Sequence, residues 1–115
     1  MSGALPDLSR LVSLMTPTRL EDGGGGYSEE WTELGKLWAE IKPRTGAAVA
    51  EGTLPIGRVG YRITVRAAMA GSPRRPIPGQ QMVHGTRVYR IESVTELDST
   101  GRFLVCTARE EEVAT

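Results

Sequence analysis

Hydrophobic and polar positions fall into two strand-like runs near the end of the chain, where Gly79–Arg109 reads GQQMVHGTRVYRIESVTELDSTGRFLVCTAR. Two runs rich in β-branched and aromatic residues, Thr86–Glu96 and Arg102–Ala108, flank Asp98-Ser99-Thr100-Gly101. Asp98 can accept a hydrogen bond from the backbone two residues on, and Gly101 can take positive φ, so the segment predicts a β-hairpin. In its second arm Leu104, Cys106 and Ala108 share one face while Phe103, Val105 and Thr107 share the other. Both faces are largely apolar, which predicts a small barrel or sandwich that also packs against a neighbour.

Gly60–Ala67 (GYRITVRA) alternates cleanly, with Tyr61, Ile63, Val65 and Ala67 opposite Arg62, Thr64 and Arg66, and predicts a half-buried strand. Arg10–Thr16 predicts a first strand with Val12 and Leu14 on one face, and Pro17 should prevent its continuation as a central, fully paired strand. Gly85 marks a second reversal, after Gln80–His84. Tyr27–Lys42 (YSEEWTELGKLWAEIK) is ambiguous. Trp31, Leu34, Leu37 or Trp38, and Ile41 fall at helical intervals, whereas Gly35 and the alternation of Leu37, Ala39 and Ile41 with Trp38, Glu40 and Lys42 fit a strand.

Between these elements lie an N-terminal arm (1–9), a tetraglycine loop tip at Gly23–Gly26, a small-residue connection at Arg44–Gly57, and a proline-rich excursion at Gly71–Pro78. The arm should be ordered only if something holds it. The three prolines of GSPRRPIP predict a stiff, extended excursion that carries Arg74 and Arg75 away from the body. Nothing in Arg44–Gly57 offers a wide apolar face, although Ala47–Glu51 could form about one helical turn.

At 115 residues the chain (1–115) is expected to form one domain. Its formal net charge is zero, so no whole-chain field draws it to nucleic acid or anionic lipid. No apolar run approaches the roughly 20 residues that span a bilayer, so no membrane partner is expected. The N-terminus lacks a charged leader before an apolar core, which predicts synthesis and folding in a cytoplasm.

The residues offer little chemistry. One His and one Cys, His84 and Cys106, cannot assemble a zinc site, and Cys106 sits in an apolar strand pattern as a small buried hydrophobe. Glu29-Glu30 and Glu110-Glu111-Glu112 are neighbours in one chain rather than an opposed acid/base pair, and read as solvated charge. The glycine run lacks P-loop spacing. No catalytic residue, metal or cofactor is expected. Arg74 and Arg75 are candidates for a partner or DNA contact, and Trp31, Trp38, Tyr61 and Tyr89 for packing anchors in the core or at an interface.

The succession SGAL, LSRLVSLM, a Gly-rich turn, EEWTEL, LWAEIKPRTG, YRITVRA, VYRIESV and LVCTARE, from about Gly3 to Glu111, resembles the phage head–tail joining family. That family includes the head-closure or stopper proteins of long-tailed double-stranded DNA phages and gene transfer agents. Gly71–Pro78 and Gly23–Gly26 depart from its usual pattern. The resemblance implies an all-β fold, a small antiparallel barrel or sandwich with long loops and at most a short helix, and turns the ambiguous Trp31–Ile41 segment into a strand.

It further implies a non-enzymatic virion protein forming a homo-oligomeric ring, a dodecamer. Such a ring would sit at the neck of the particle, between portal or adaptor proteins and the tail terminator or tail tube, with double-stranded DNA passing through its lumen. By position, the lumen-facing or intersubunit loop would be Arg44–Gly57, with Arg44, Thr45, Gly46, Glu51, Leu54 and Ile56 its candidate contacts. A tail terminator or adaptor ring, and a stand-alone β-barrel nucleic-acid-binding module, are the alternative readings.

Overall fold

The computed structural model describes residues 5–44 and 60–111. Its strands are β1 (Arg10–Glu21), β2 (Tyr27–Pro43), β3 (Gly60–Arg66), β4 (Gln81–His84), β5 (Arg87–Glu96) and β6 (Phe103–Glu111), with no helix among the described residues. All pairings are antiparallel, in the order β1-β2-β3-β6-β5-β4, and β4 pairs back onto β1 to close a barrel. The closing seam is short, matching only Ser13, Leu14 and Met15 with Val83, Met82 and Gln81.

Alternation explains the interior. Val12 and Leu14 of β1, Leu37 and Ala39 of β2, Ile63 and Val65 of β3, Met82 of β4, Tyr89 and Ile91 of β5, and Leu104, Cys106 and Ala108 of β6 form one buried cluster. Burying each large aliphatic side chain contributes about 1.5–3 kcal/mol, so this cluster is the main source of stability. The predicted β5–β6 hairpin forms as its turn chemistry requires: the Thr100 N–H donates to Asp98 Oδ1 at 2.9 Å, and Gly101 adopts φ 71°.

The ambiguous segment is a strand, and its helix-like spacing has a local cause. Leu14 pairs with Gly35 but Met15 pairs with Glu33, which leaves Leu34 as an extra, bulged residue. The bulge converts a two-residue alternation into a three-residue step from Leu34 to Leu37, and both side chains still pack on the core. Gly35 adopts φ 154°, a conformation that suits glycine at the kink.

Beyond this bulge the hairpin leaves the barrel. β1 pairs with β4 no further than Met15, and β2 pairs with β3 only from Ala39 to Pro43. Thr16–Glu21 and Tyr27–Thr32 therefore have only each other, as a two-stranded ribbon. Pro17 is tolerated here because the strand is no longer paired on both sides. The protrusion is visible in the dimensions of 58 × 40 × 24 Å and a radius of gyration of 15.6 Å, against about 13 Å for a compact chain of this length.

Three expectations need correction. The proline-rich excursion is neither extended nor held off the body. It is a succession of turns, with Ser72 N–H donating to Met69 O at 2.9 Å and Arg75 N–H to Ser72 O at 3.0 Å, and Pro76 is fully buried. Buried Gln80 anchors it, accepting from Ile77 N–H at 3.0 Å and donating to Thr16 Oγ1 at 3.3 Å. Arg75 folds back and donates to Ala68 O at 2.9 Å, so it does not project as Arg74 does.

The outer side of β6 does not wait for a neighbour either. Phe103 and Val105 are already buried in the single chain, and so is Thr64 beside them on β3. The N-terminal arm lies beside the neighbouring strands: Leu5, Pro6 and Asp7 share a groove with Glu40 and Lys42 of β2, Arg62 and Thr64 of β3, and Leu97, and the Asp7 N–H donates to Glu40 Oε2 at 3.0 Å. Finally, Gln81–His84 is a barrel strand rather than a mere approach to the Gly85 turn.

Core and ribbon should respond differently to truncation. Ile63→Ala is expected to cost about 2–5 kcal/mol, whereas Leu20→Ala on the ribbon should change stability by no more than about 0.5 kcal/mol; urea denaturation of the two variants distinguishes them.

Candidate assembly surface

One apolar side chain that the barrel leaves outside, Trp38, lies in a groove where β2 departs from β3. β3 hydrogen-bonds β2 as far as Ala39↔Val65, so the next residues of β2, Lys36–Trp38, have no strand on that side. The resulting groove has a volume of about 460 Å³ and is lined by Leu8, Lys36, Leu37, Trp38, Arg66, Ala67, Ala68 and Arg74. The Trp38 side chain is 56% exposed and Met69, close in sequence to Ala67 and Ala68, is 83% exposed. An indole left this open on a strand facing solvent is an available anchor for a partner.

The groove is cationic. Arg66 forms no ion pair with a described residue; its guanidinium lies 5.6 Å from the Phe103 ring, which Arg102 approaches at 5.8 Å. Arg74 is exposed at the rim, and Lys36 is shared between Glu33 at 3.5 Å and Ser13 Oγ at 3.0 Å.

The ribbon has the opposite character. Residues 16–33 hold five carboxylates, Glu21, Asp22, Glu29, Glu30 and Glu33, against one arginine. That arginine, Arg19, lies over the Tyr27 ring at 4.9 Å. At the tip the Asp22 carboxylate accepts N–H bonds from Gly24 at 2.8 Å and Gly26 at 3.0 Å, which hold its pKa below the usual carboxylate range. The tetraglycine tip is thus a closed Asx-type turn. Because the whole chain is neutral, the remainder carries a matching positive excess.

On β5 and β6 three ion pairs match charge across the strands. Arg87 grips Glu110 with two bonds of 2.9 Å and donates to Tyr61 Oη at 3.0 Å; Arg90 meets Glu111 at 3.2 Å and Arg109 meets Glu92 at 2.9 Å. The Arg87 hydrogen bonds hold Glu110 below the usual carboxylate range and raise the Arg87 pKa. Arg10, Arg19, Arg44, Arg62, Arg66, Arg74, Arg75 and Arg102 have no ion-pair partner among the described residues, and of these Arg66 and Arg74 line the groove.

The residues singled out from sequence fall in different places. Tyr89 is buried in the core and meets half-buried Tyr61 edge-on, with ring centroids 5.0 Å apart. Trp31 is half-buried on the ribbon's base under the Arg90 guanidinium at 5.1 Å, while Trp38 faces outward in the groove. Arg74 joins Trp38 there and Arg75 does not. Arg44 is exposed and its N–H donates to Gly60 O at 2.8 Å, pinching together the ends of the connection it opens. Thr45, Gly46, Glu51, Leu54 and Ile56 lie outside the described residues. Sequence reasoning missed Leu8, Lys36 and Arg66, and it missed the ribbon's charge, although the imbalance is readable once Glu21-Asp22 and Glu29-Glu30 are placed on paired strands.

No three of His, Cys, Asp and Glu converge among the described residues. Cys106 points into the barrel, where burial pushes its thiol pKa up to about 12.

Against known proteins, a family model described as phage head completion protein matches residues 4–111. A chain in the virion of the native gene transfer agent (GTA) particle is 41% identical, with 96% of this chain and 100% of that chain covered and a TM-score of 0.78. The solution structure of protein SF1141 from Shigella flexneri 2a shares the fold, at 23% identity, with 93% of this chain and 96% of that chain covered and a TM-score of 0.66. No curated protein matches the chain.

Two outcomes follow from the electrostatics. Cys106 should resist iodoacetamide in the folded protein at pH 8 and react once the chain is unfolded in urea, read by mass spectrometry. Glu110, whose pKa is depressed by Arg87, contributes stability that is present above its unfolded value near 4.5 and is lost as the pH falls through the lower folded value. Glu110→Gln should therefore reduce stability at pH 7 and flatten the decline below about pH 4.5, measured by denaturation across pH.

Proposed function

We propose a role from one premise: the chain belongs to the phage head completion protein family. It is a structural component of a virion or gene transfer particle that closes the filled head. In that role it forms a homo-oligomeric ring at the neck, between portal or adaptor proteins on the head side and the tail terminator or tail tube beyond, with the DNA passing through the centre. The observation that carries this reading is the family match over residues 4–111, supported by 41% identity to a chain of the GTA virion.

The physical features agree with a subunit built to be covered. Trp38 and Met69 are exposed on the barrel, and the ribbon carries unmatched carboxylates away from it. Arg44 and Gly60, the described residues on either side of 45–59, are hydrogen-bonded to each other on the barrel rim, which suits a loop between them reaching toward the lumen or an adjacent subunit. Arg74 remains a candidate partner or DNA contact. A wall of near-zero net charge would let DNA pass without adhering, because phosphate binding scales with the number of cations presented.

The all-strand architecture of the described residues argues against the adaptor alternative, which calls for a mainly helical subunit. A nucleic-acid-binding module would line up several exposed aromatics with basic residues on one sheet face, whereas Tyr61 and Tyr89 pack against each other and the cationic groove holds a single exposed indole, Trp38.

The test is removal of this subunit from its particle. Electron microscopy should then show filled or leaking heads without attached tails, and supplying the protein to purified heads should restore joining; normally tailed particles in its absence would refute the role.

A further inference from the structure

We propose that the acidic ribbon of one copy docks in the cationic Trp38 groove of the next, making this pair of surfaces the contact between subunits. This rests on the ring reading above and names the surfaces that would hold the ring together.

Charge complementarity is the first support. Glu21, Glu29 and Glu30 have no ion-pair partner among the described residues, and neither do Arg66 and Arg74 in the groove. Apart from the Glu33–Lys36 pair where the two surfaces adjoin, each keeps charge that its own chain leaves unpaired, and the two complement each other in sign. The apolar parts match as well: exposed Leu20 and Tyr27 flank the ribbon tip, and Trp38 lies open in the groove.

Geometry excludes an internal solution. The groove sits at the base of the ribbon, on the strand that leads into it, and six consecutive residue pairs separate that base from the Asp22 turn. At about 3.4 Å per residue the ladder holds the tip on the order of 20 Å from the barrel, so it cannot fold back onto its own groove. The contact must be made to another molecule. Two different, complementary patches on one chain generate a head-to-tail contact, which closes into a ring when the rotation permits.

The ribbon is also unsuited to the other polymers nearby. Its carboxylates repel DNA phosphates, and the like charges of two ribbons disfavour ribbon-on-ribbon pairing. A second copy supplies the cations and the open indole together.

Reciprocal charge reversal tests the contact in assembled particles. Glu29→Arg with Glu30→Arg, and separately Arg66→Glu with Arg74→Glu, should each lower incorporation of the subunit into heads by about tenfold or more, and combining all four should restore it. Circular dichroism on each variant confirms folding. As a second measurement that keeps native charges nearly intact, the pairs E29C/R66C and E30C/R74C should give a ladder of disulfide-linked copies on oxidation of particles, with single substitutions giving none. Buried Cys106 does not interfere.

If the combined variant is no better than its parents and neither cysteine pair gives a ladder, while the subunit still joins heads to tails, the ribbon contact is refuted and the head-completion role stands. Salt-sensitive binding of duplex DNA that is lost in Arg66→Glu/Arg74→Glu, with ring assembly unaffected, would likewise refute it and assign the groove to DNA.

Discussion

Pairing between β1 and β2 continues after the barrel has released both strands, and most of what distinguishes this molecule depends on that continuity. Inside the barrel the two strands bury Val12, Leu14, Leu37 and Ala39 and are stabilised by the common core. Outside it, the same ladder has no second layer. A two-stranded hairpin alone is marginal in water, so the ribbon is held by being an extension of strands that the barrel already fixes. The Leu34 bulge and Gly35 sit at the junction, where the added twist redirects the hairpin. Trp31 under Arg90 then braces its base against β5.

That arrangement separates charge by separating structure. Carboxylates gathered on a ribbon on the order of 20 Å long repel one another, and the ribbon tolerates this because water reaches both of its faces and screens them. The barrel keeps the compensating arginines, several already neutralised by Glu92, Glu110 and Glu111. A zero net charge therefore conceals a dipolar subunit, and for association it is the distribution rather than the total that sets orientation.

Local chemistry was readable where one segment suffices to determine it. The Asp98–Gly101 turn, the alternation of Gly60–Ala67 and the burial of Cys106 all rest on neighbours within a few residues. What failed to read depends on distant partners. Gln81–His84 is too short for periodicity to identify, and its status as a strand is set by pairing with Ser13–Met15. The helical spacing of Trp31, Leu34 and Leu37 is the mark of a bulge, which one strand's sequence cannot separate from a helix without its partner's register. Arg75 turns inward because an Ala68 carbonyl lies within reach, and Leu8, Lys36, Arg66 and Arg74 share a groove only because the barrel ends there. Even the two-sided apolar pattern of Phe103–Ala108 was correctly seen, yet its outer face is covered within the chain instead of by a neighbour.

Strand edges supply the last constraint. The ribbon exposes two of them, and an exposed edge is a template for indiscriminate pairing. On β1 the edge is interrupted by Pro17, which has no N–H to offer. On β2 it is flanked by Glu29, Glu30 and Glu33 and broken by the bulge at Leu34. Backbone hydrogen bonding, which any strand could satisfy, is thus discouraged along both sides, and recognition passes to side chains that only a complementary surface can match. Copies that meet in solution are thereby discouraged from pairing through their backbones.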